Sequence, residues 1–228
     1  MHIAVIPARG GSKRIPKKNI KDFCGKPMIS YSIEAALNSN IFNEVIVSTD
    51  SKEIAQVAIE HGAKVPFMRP ADISDDYAST GDVMSHAISW AKSNYSVLTS
   101  ACCIYATAPF ITKEDLLKAF KIFEQNDWFY VFSATSYPFP IQRAIRRKNS
   151  GGIEMFQPNH FSTRSQDLEK SYHDAGQFYF GTVDAWLQKE QIFQKNSEII
   201  VLPRWRVQDI DEKEDWIFAE KLFEVQKR

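Results

Sequence analysis

At 228 residues the chain is long enough to bury roughly 70% of its unfolded surface in one large core. It is short for two full-sized domains of about 150 residues each, so one domain with an inserted arm is expected over residues 1–228. With 44% hydrophobic and 25% charged residues, the composition is that of a folded chain rather than a disordered one. The 28 Lys and Arg balance 28 Asp and Glu, which excludes the broad basic field of a general nucleic-acid binder.

Short apolar runs alternate with amphipathic stretches along most of the chain, the pattern of repeated βαβ units. His2 to Ile6 forms the first expected strand, followed by a basic loop to Asn19. A helix opens near Pro27, a favourable first-turn residue, and runs to about Asn38. Glu44 to Ser48 is the second strand. Thr49-Asp50-Ser51 then caps a helix that Gly62 stops. Ala63 to Met68 reads as a third strand, Thr80 to Asn94 as a helix, and Ser100 to Tyr105 as a fourth strand. A helix over Lys113 to Gln125 and a strand over Phe129 to Thr135 follow.

The rhythm then breaks. Residues 138–175 are rich in Pro, Arg, Ser and Gly and carry no helical period longer than two turns, which suggests an inserted β-arm. Strand character returns at Gln177 to Gly181 and Glu198 to Leu202. A last helix covers Asp211 to Gln226, with Trp216, Ala219, Leu222 and Phe223 on one face and Asp211 with Glu214 as a capping pair. The three cysteines, Cys24, Cys102 and Cys103, lack any framework spacing and read as thiols of a reducing cytosol. The N-terminus has no signal-peptide pattern, and Asn94 to Thr112 is too polar for a membrane helix. A soluble cytoplasmic protein, with neither nucleic acid nor membrane as partner, is the expectation. The fold expected is a three-layer α/β sheet with an arm. Ligands of such open sheets bind at the carboxyl ends of the strands, here the loops 7–19, 49–51, 69–80 and 106–112.

The most informative of these loops is Pro7-Ala8-Arg9-Gly10-Gly11-Ser12-Lys13-Arg14-Ile15-Pro16-Lys17-Lys18-Asn19. Two adjacent glycines let backbone N–H groups turn toward an anion, and Ser12 adds a hydroxyl. Arg9 can grip phosphate oxygens in pairs, while Lys13 and Lys18 act as point charges. The loop matches neither the Walker A pattern nor the dinucleotide fingerprint. Asp209 and Asp211 are two residues apart, so an extended backbone turns both carboxylates to one side. By themselves they fit a surface charge and a helix cap better than a metal site.

The stretch IPARGGSKRIPKKN, followed by Gly25-Lys26-Pro27-Met28-Ile29, resembles the opening of the sugar-acid cytidylyltransferases, the CMP-sialate synthetase group. The resemblance continues in order through Ser48-Thr49-Asp50, Arg69-Pro70-Ala71-Asp72, Asp76 to Thr80, Thr107 with Pro109, Arg164 with Gln166-Asp167-Leu168, Gly176 to Tyr179 and Asp209-Ile210-Asp211. It covers nearly the whole chain and implies a Rossmann-like nucleotidyltransferase sheet whose inserted arm dimerises. The implied reaction transfers CMP from CTP to the anomeric hydroxyl of a nine-carbon keto-sugar acid, releasing pyrophosphate with Mg²⁺. Carried over by position, Arg9, Ser12, Lys13, Lys18 and Asn19 hold the triphosphate, and Pro7 and Ala8 offer backbone to the nucleotide. Lys18, Arg9 and Asp211 serve catalysis. Arg69, Ala78 and Thr80 surround cytosine and ribose, and Asp209 and Asp211 hold the metal. Tyr105, Thr107, Arg164, Gln166, His173 and Tyr179 face the sugar acid.

Two departures bear on the acceptor. The sialate pattern carries Gln where this chain has Tyr105, and Arg-x-Asn-Gly where it has His173-Asp174-Ala175-Gly176. Loss of a bidentate Arg and two amides changes which sugar acid a polar pocket accepts, and the pattern resembles the pseudaminate branch. N-acetylneuraminate and legionaminate are the alternatives, with the eight-carbon acid KDO further off because that branch lacks the Lys18-Asn19 pair. Tyr105 fits a core position equally well, and His173 fits a structural hydrogen bonder. Arg143, Arg146 and Arg147 face either the sugar carboxylate or solvent. Phe139, Phe156 and Phe161 are candidate dimer contacts. An inactive CTP-binding sensor is the reading from another class, and it would require the loss of Lys18 or the aspartates.

Overall fold

The computed structural model describes residues 1–226; residues 227–228, the end of the expected single domain, lie outside it. In chain order it runs through β1 (His2–Pro7), a tight hairpin of β2 (Asp22–Phe23) and β3 (Lys26–Pro27), and α1 (Met28–Ser39). Then come β4 (Glu44–Ser48), α2 (Lys52–Glu60), α3 (Thr80–Asn94), β5 (Ser100–Ile104), α4 (Lys113–Gln125) and β6 (Tyr130–Ser136). The arm hairpin β7 (Ile145–Arg147) and β8 (Ile153–Met155) precedes β9 (Tyr172–Thr182), α5 (Val183–Leu187), β10 (Ser197–Leu202) and α6 (Lys213–Gln226). The central sheet has six strands in the order β10-β6-β9-β5-β1-β4. Only β9 runs antiparallel to its neighbours, β5 and β6.

Residues of each central strand alternate between two apolar clusters. Ala4 and Ile6 of β1 and Cys102 and Ile104 of β5 face the side covered by α1, α2 and α4. Ile3, Val5, Ala101 and Cys103 face the side covered by α3 and α5. A strand buried on both faces must be apolar at both parities, which is why these runs are continuous rather than alternating. Helices on both faces of one sheet make the three-layer α/β fold that the sequence predicts. Among the described residues, no helix is long and apolar enough to cross a membrane.

Three expectations change. Ala63 to Met68 is not a ladder strand: only isolated bridges at Lys64 and Met68 join it to β4. Pro66 sits between them, and a residue without an N–H cannot continue a ladder. The strand expected at Gln177 starts earlier, at Tyr172, so the arm ends there rather than at 175. Its register against β6 slips between Phe132 and Ala134. Gly176 takes a positive φ of 62° there, and the Ser133 hydroxyl accepts the N–H groups of Gln177 and Phe178 at 3.3 Å each. The Asp211–Glu214 capping pair is absent. Asp215 caps this end instead, its Oδ2 accepting the N–H groups of Asp211 at 3.0 Å and Glu212 at 2.8 Å.

The face of α6 expected to pack does so. Trp216 and Ala219 join Ile15, Phe23, Met28, Phe110 and Ile210 in a third cluster beneath the basic loop. Phe23 meets the Trp216 ring edge-on at 5.3 Å, a favourable aromatic arrangement.

Candidate active site

The basic loop leaves β1 and folds back over the carboxyl ends of β1, β4 and β5. Its shape comes from its own sequence. Gly10 donates its N–H to Asp50 Oδ1 at 2.8 Å, and a Cβ on Gly10 would stand 3.1 Å from that of Ser51, so any larger residue would have to push the segment after β4 back by a few tenths of an ångström. Ser12 donates its hydroxyl proton to the Ile15 carbonyl at 2.6 Å, and buried Ile15 pins the loop into the third cluster. Asn19 donates to the Arg9 carbonyl at 2.9 Å, closing the loop.

Beneath it lies a cleft of about 580 Å³. Of the residues singled out in sequence, Pro7, Arg9, Ser12, Lys13, Lys18, Asn19, Arg69, Ala78, Thr80, Tyr105, Thr107 and Asp211 line it. Ala8 does not: its side chain is in the core and its N–H goes to the Ser48 carbonyl at 3.0 Å, leaving only its carbonyl for a ligand. Lys17 turns away to Glu53 on α2.

The cations of the cleft meet two carboxylates. Arg9 contacts Asp76 at 2.7 Å and Lys13 contacts it at 2.5 Å. These hydrogen bonds, Lys13's first and Arg9's next, hold the Asp76 carboxyl below the usual carboxylate range. On the opposite wall Arg14 lies 3.0 Å and Lys18 3.3 Å from Asp211. Lys18 also donates to the Ile210 carbonyl at 2.6 Å, tying the loop to the segment before α6. Arg14 and Asp76 were missed as site residues, although both lie in stretches the sequence marked. Their signal was only their place in a basic run and in the 69–80 loop.

Arg69 forms the buried end of the cleft. It is 6% exposed, and its guanidinium bonds the hydroxyl and carbonyl of Ser48. Burial pulls its pKa down while the Asp50 charge opposes that shift. Thr80 stands at the start of α3, where Ser79 and Asp82 form a capping box. Its hydroxyl is 3.4 Å from Tyr105 Oη.

Beyond Tyr105 and Thr80 the cleft opens into a recess walled by Tyr179, Asp174, Gln191, Ile192 and Phe193. Tyr179 donates to Asp174 Oδ2 at 2.5 Å. Burial, then the charges of Tyr105 and Asp174, pushes the Tyr179 hydroxyl far above its ordinary pKa. Asp174 is the third residue that sequence reasoning missed, because nothing local shows that it lines this recess beside the β9 register slip. His173 is not part of that wall. It bonds the Asp174 carbonyl at 2.9 Å, meets the edge of Tyr137 and faces a neighbouring hollow. Arg164 and Gln166 lie in the arm, where exposed Arg164 pairs with Asp167 at 2.7 Å, away from the cleft of their own chain.

Asp209 does not line the cleft either. Its carboxyl is held above the usual range by burial first and by the charge of Asp211 second. Among the described residues no group of three or more His, Cys, Asp or Glu could enclose a metal ion. A donor set of one or two carboxylates suits a hard cation that takes its remaining ligands from phosphate and water.

A family described as cytidylyltransferase matches residues 3–201. Over 224 residues the chain is 51% identical to the pseudaminic acid cytidylyltransferase of Campylobacter jejuni subsp. jejuni serotype O:2, covering 98% of this chain and 97% of that one. It is 32% identical over 233 residues to the CMP-N,N'-diacetyllegionaminic acid synthase of Legionella pneumophila, covering 98% and 96%. In fold it resembles a CMP:2-keto-3-deoxy-manno-octonic acid synthetase, with a TM-score of 0.71 over 99% of both chains at 16% identity. A basic strand-to-helix loop, a deep arginine and an opposing aspartate thus share one cleft in a chain that belongs to the cytidylyltransferase family.

Proposed function

We propose that the protein transfers CMP from CTP to the anomeric hydroxyl of pseudaminic acid, with release of pyrophosphate. The observation that carries this reading is the 51% identity, over nearly the full length of both chains, to a relative named for that activity, against 32% for the legionaminic acid relative. The cleft supplies the chemistry. Phosphoryl-type transfer needs alignment and neutralisation of charge more than covalent help from the protein. Arg9, Lys13 and Lys18 bind the triphosphate from the loop side. Arg69, Ala78 and Thr80 bound the nucleoside, with the buried guanidinium fixed by Ser48 before any ligand arrives. The anomeric oxygen attacks the α-phosphorus, the bond to the bridging oxygen breaks, pyrophosphate leaves, and the hydroxyl proton is lost. Lys18, its ammonium held by the Ile210 carbonyl and Asp211, offsets the negative charge that develops there.

The divalent metal of the reaction is Mg²⁺ in this reading, and it would add positive charge on the phosphate oxygens. Asp211 would be its cleft-side ligand. Asp209 is the second candidate carboxylate, and its charge-disfavouring surroundings are of the kind a nearby cation relieves. The acceptor lies in the recess beside Tyr105 and Tyr179, next to the cleft that Thr107 lines. Arg164 and Gln166 reach a substrate only across a dimer formed through the arm. A cytidylyltransferase needs the phosphate-side residues in working order, and with Lys18 and Asp211 paired in the cleft the inactive sensor has no observation in its favour.

The test is pyrophosphate release from CTP and Mg²⁺ with a panel of sugar acids. Pseudaminate is expected to give the highest kcat/KM. A higher value for N-acetylneuraminate or legionaminate would move the assignment to that acceptor, and no release with any of them would remove it.

A further inference from the structure

The segment that carries Asp211 to the cleft, residues 203–212, contains a single 3-10 turn at Arg204–Arg206 and no strand. Side chains must therefore set its position between β10 and α6. Two of the holds lie next to the aspartates: Ile210 is fully buried in the third cluster, and Asp215 accepts the N–H groups of Asp211 and Glu212.

The third hold is Arg206, which lies outside the lining of the cleft. Its guanidinium pairs with both oxygens of Asp115 in the first turn of α4, and the two side chains are only 14% and 11% exposed. The same group donates to the Phe110 carbonyl at 2.9 Å and lies 3.4 Å from the Thr112 hydroxyl. The Arg206 carbonyl accepts from Gln177 Nε2 on β9 at 2.6 Å. One residue thus joins the acidic segment to β9, to α4 and to the 106–112 loop that supplies Thr107.

Stability alone explains this poorly. A buried ion pair pays a desolvation cost that often matches its attraction, and a well-packed apolar pair of similar volume commonly does as well or better. What an apolar pair lacks is direction. A planar guanidinium engaged by a carboxylate and two further acceptors admits one orientation of the chain that carries it.

We propose that the Arg206–Asp115 pair is a positioning device for the reaction: it fixes the 203–212 segment against the 106–112 loop so that Asp211 stands beside Lys18 in the cleft. This rests on the role proposed above for Asp211. Neither Arg206 nor Asp115 touches substrate. Arg206 sets the backbone frame from which Asp211 and the Ile210 carbonyl, the two partners of Lys18, are presented.

The test uses the full chain with Arg206→Lys, the apolar double variant Arg206→Met with Asp115→Leu, and Asp211→Asn beside them. Melting temperature, kcat, KM for CTP and calorimetric affinity for CTP with and without Mg²⁺ are measured for each. In the double variant, melting is expected to stay within a few degrees of the parent and CTP affinity in chelator to stay unchanged. The gain in CTP affinity on adding Mg²⁺ should shrink, and kcat should fall, each by about 10- to 100-fold, as for other residues that orient metal ligands. Arg206→Lys keeps the charge but not the fork, and should show the same pattern more weakly. It decides the matter if the double variant does not fold. Parental kcat with a parental Mg²⁺ gain in a folded Arg206 variant would overturn the proposal. A parental Mg²⁺ gain in Asp211→Asn would overturn it too, but by removing the role of Asp211 on which it rests, so the two failures are distinguishable.

Discussion

Asp76 gives the basic loop a counter-charge of its own, bridging Arg9 and Lys13 in the cleft. A triphosphate that engages those two cations competes with this carboxylate for them. Asp76→Asn is therefore expected to lower KM for CTP by about twofold to fivefold, the modest range of an exposed ion pair, and to leave kcat near the parent. Steady-state kinetics at low salt decide it, and a rise in KM would mean that Asp76 itself contacts the nucleotide. Lys18 should behave differently. Its ammonium is held between Ile210 and Asp211 and only 18% exposed, so it is oriented in advance. Lys18→Ala is expected to lower kcat by about 10²-fold or more with a smaller change in KM. If KM alone rises, Lys18 binds ground-state phosphate only. The residue types in this loop were legible in the sequence, because glycines and charges after a first strand have few other uses. The carboxylate that answers Arg9 and Lys13 was not, because Asp76 stands 63 residues from Lys13 and only the fold makes them neighbours.

Helix α3 brings Thr80 to the cleft and is fastened at the same end. Asp82 completes the capping box with Ser79 and pairs with Lys189, just beyond α5, at 2.5 Å. The bond from Lys189, followed by that from Ser79, draws the Asp82 carboxyl from 3.8 down to about 2. A depressed carboxyl means that the unfolded chain binds the proton more readily, so this contribution is fully present above the unfolded value and is lost as pH falls through the folded one. Melting temperature should accordingly drop between about pH 4 and pH 2, and Asp82→Asn should flatten that part of the profile. An unchanged acid limb in the variant would show that the pair is screened by solvent. The start of α3 at Thr80 was read correctly from the sequence. Its tie to Lys189 spans 107 residues and had no local signature.

At the scale of the molecule the arm stands apart from the rest. No residue between 136 and 174 is fully buried, and Phe139, Phe156 and Phe161 are 79%, 59% and 74% exposed. Apolar groups concentrated on an extension with no core of its own mark an interaction surface, in keeping with the proposed dimer. Phe156→Ser combined with Phe161→Ser is expected to convert a dimer to a monomer in sedimentation velocity, with little change in melting of the central sheet. A double variant that still sediments as a dimer would place the interface elsewhere. The arm was recognisable in the sequence as a break in periodicity. Its end was not, because β9 begins five residues before the strand expected at Gln177.

The sequence by itself determined the layered α/β architecture, nearly every central strand and helix, and the basic glycine loop that lines the cleft. These depend on local periodicity, capping residues and the conformational freedom of glycine, all of which act within a few residues. Local pattern also misled where one residue vetoed it, as Pro66 did for the expected strand at Ala63 to Met68. The tertiary structure alone decided the antiparallel place of β9 between β5 and β6 and the register slip beside which Asp174 lines the recess with Tyr105 and Tyr179. It also passed the cap before α6 from Asp211 to Asp215 and set the clamp between Arg206 and Asp115, 91 residues apart. Asp211 looked like a cap because its neighbours allow one, and only the folded chain shows that Asp215 does that work and leaves the Asp211 carboxylate to the cleft. Pairings of this kind depend on which surfaces meet when the sheet closes, a choice that no local run of residues records.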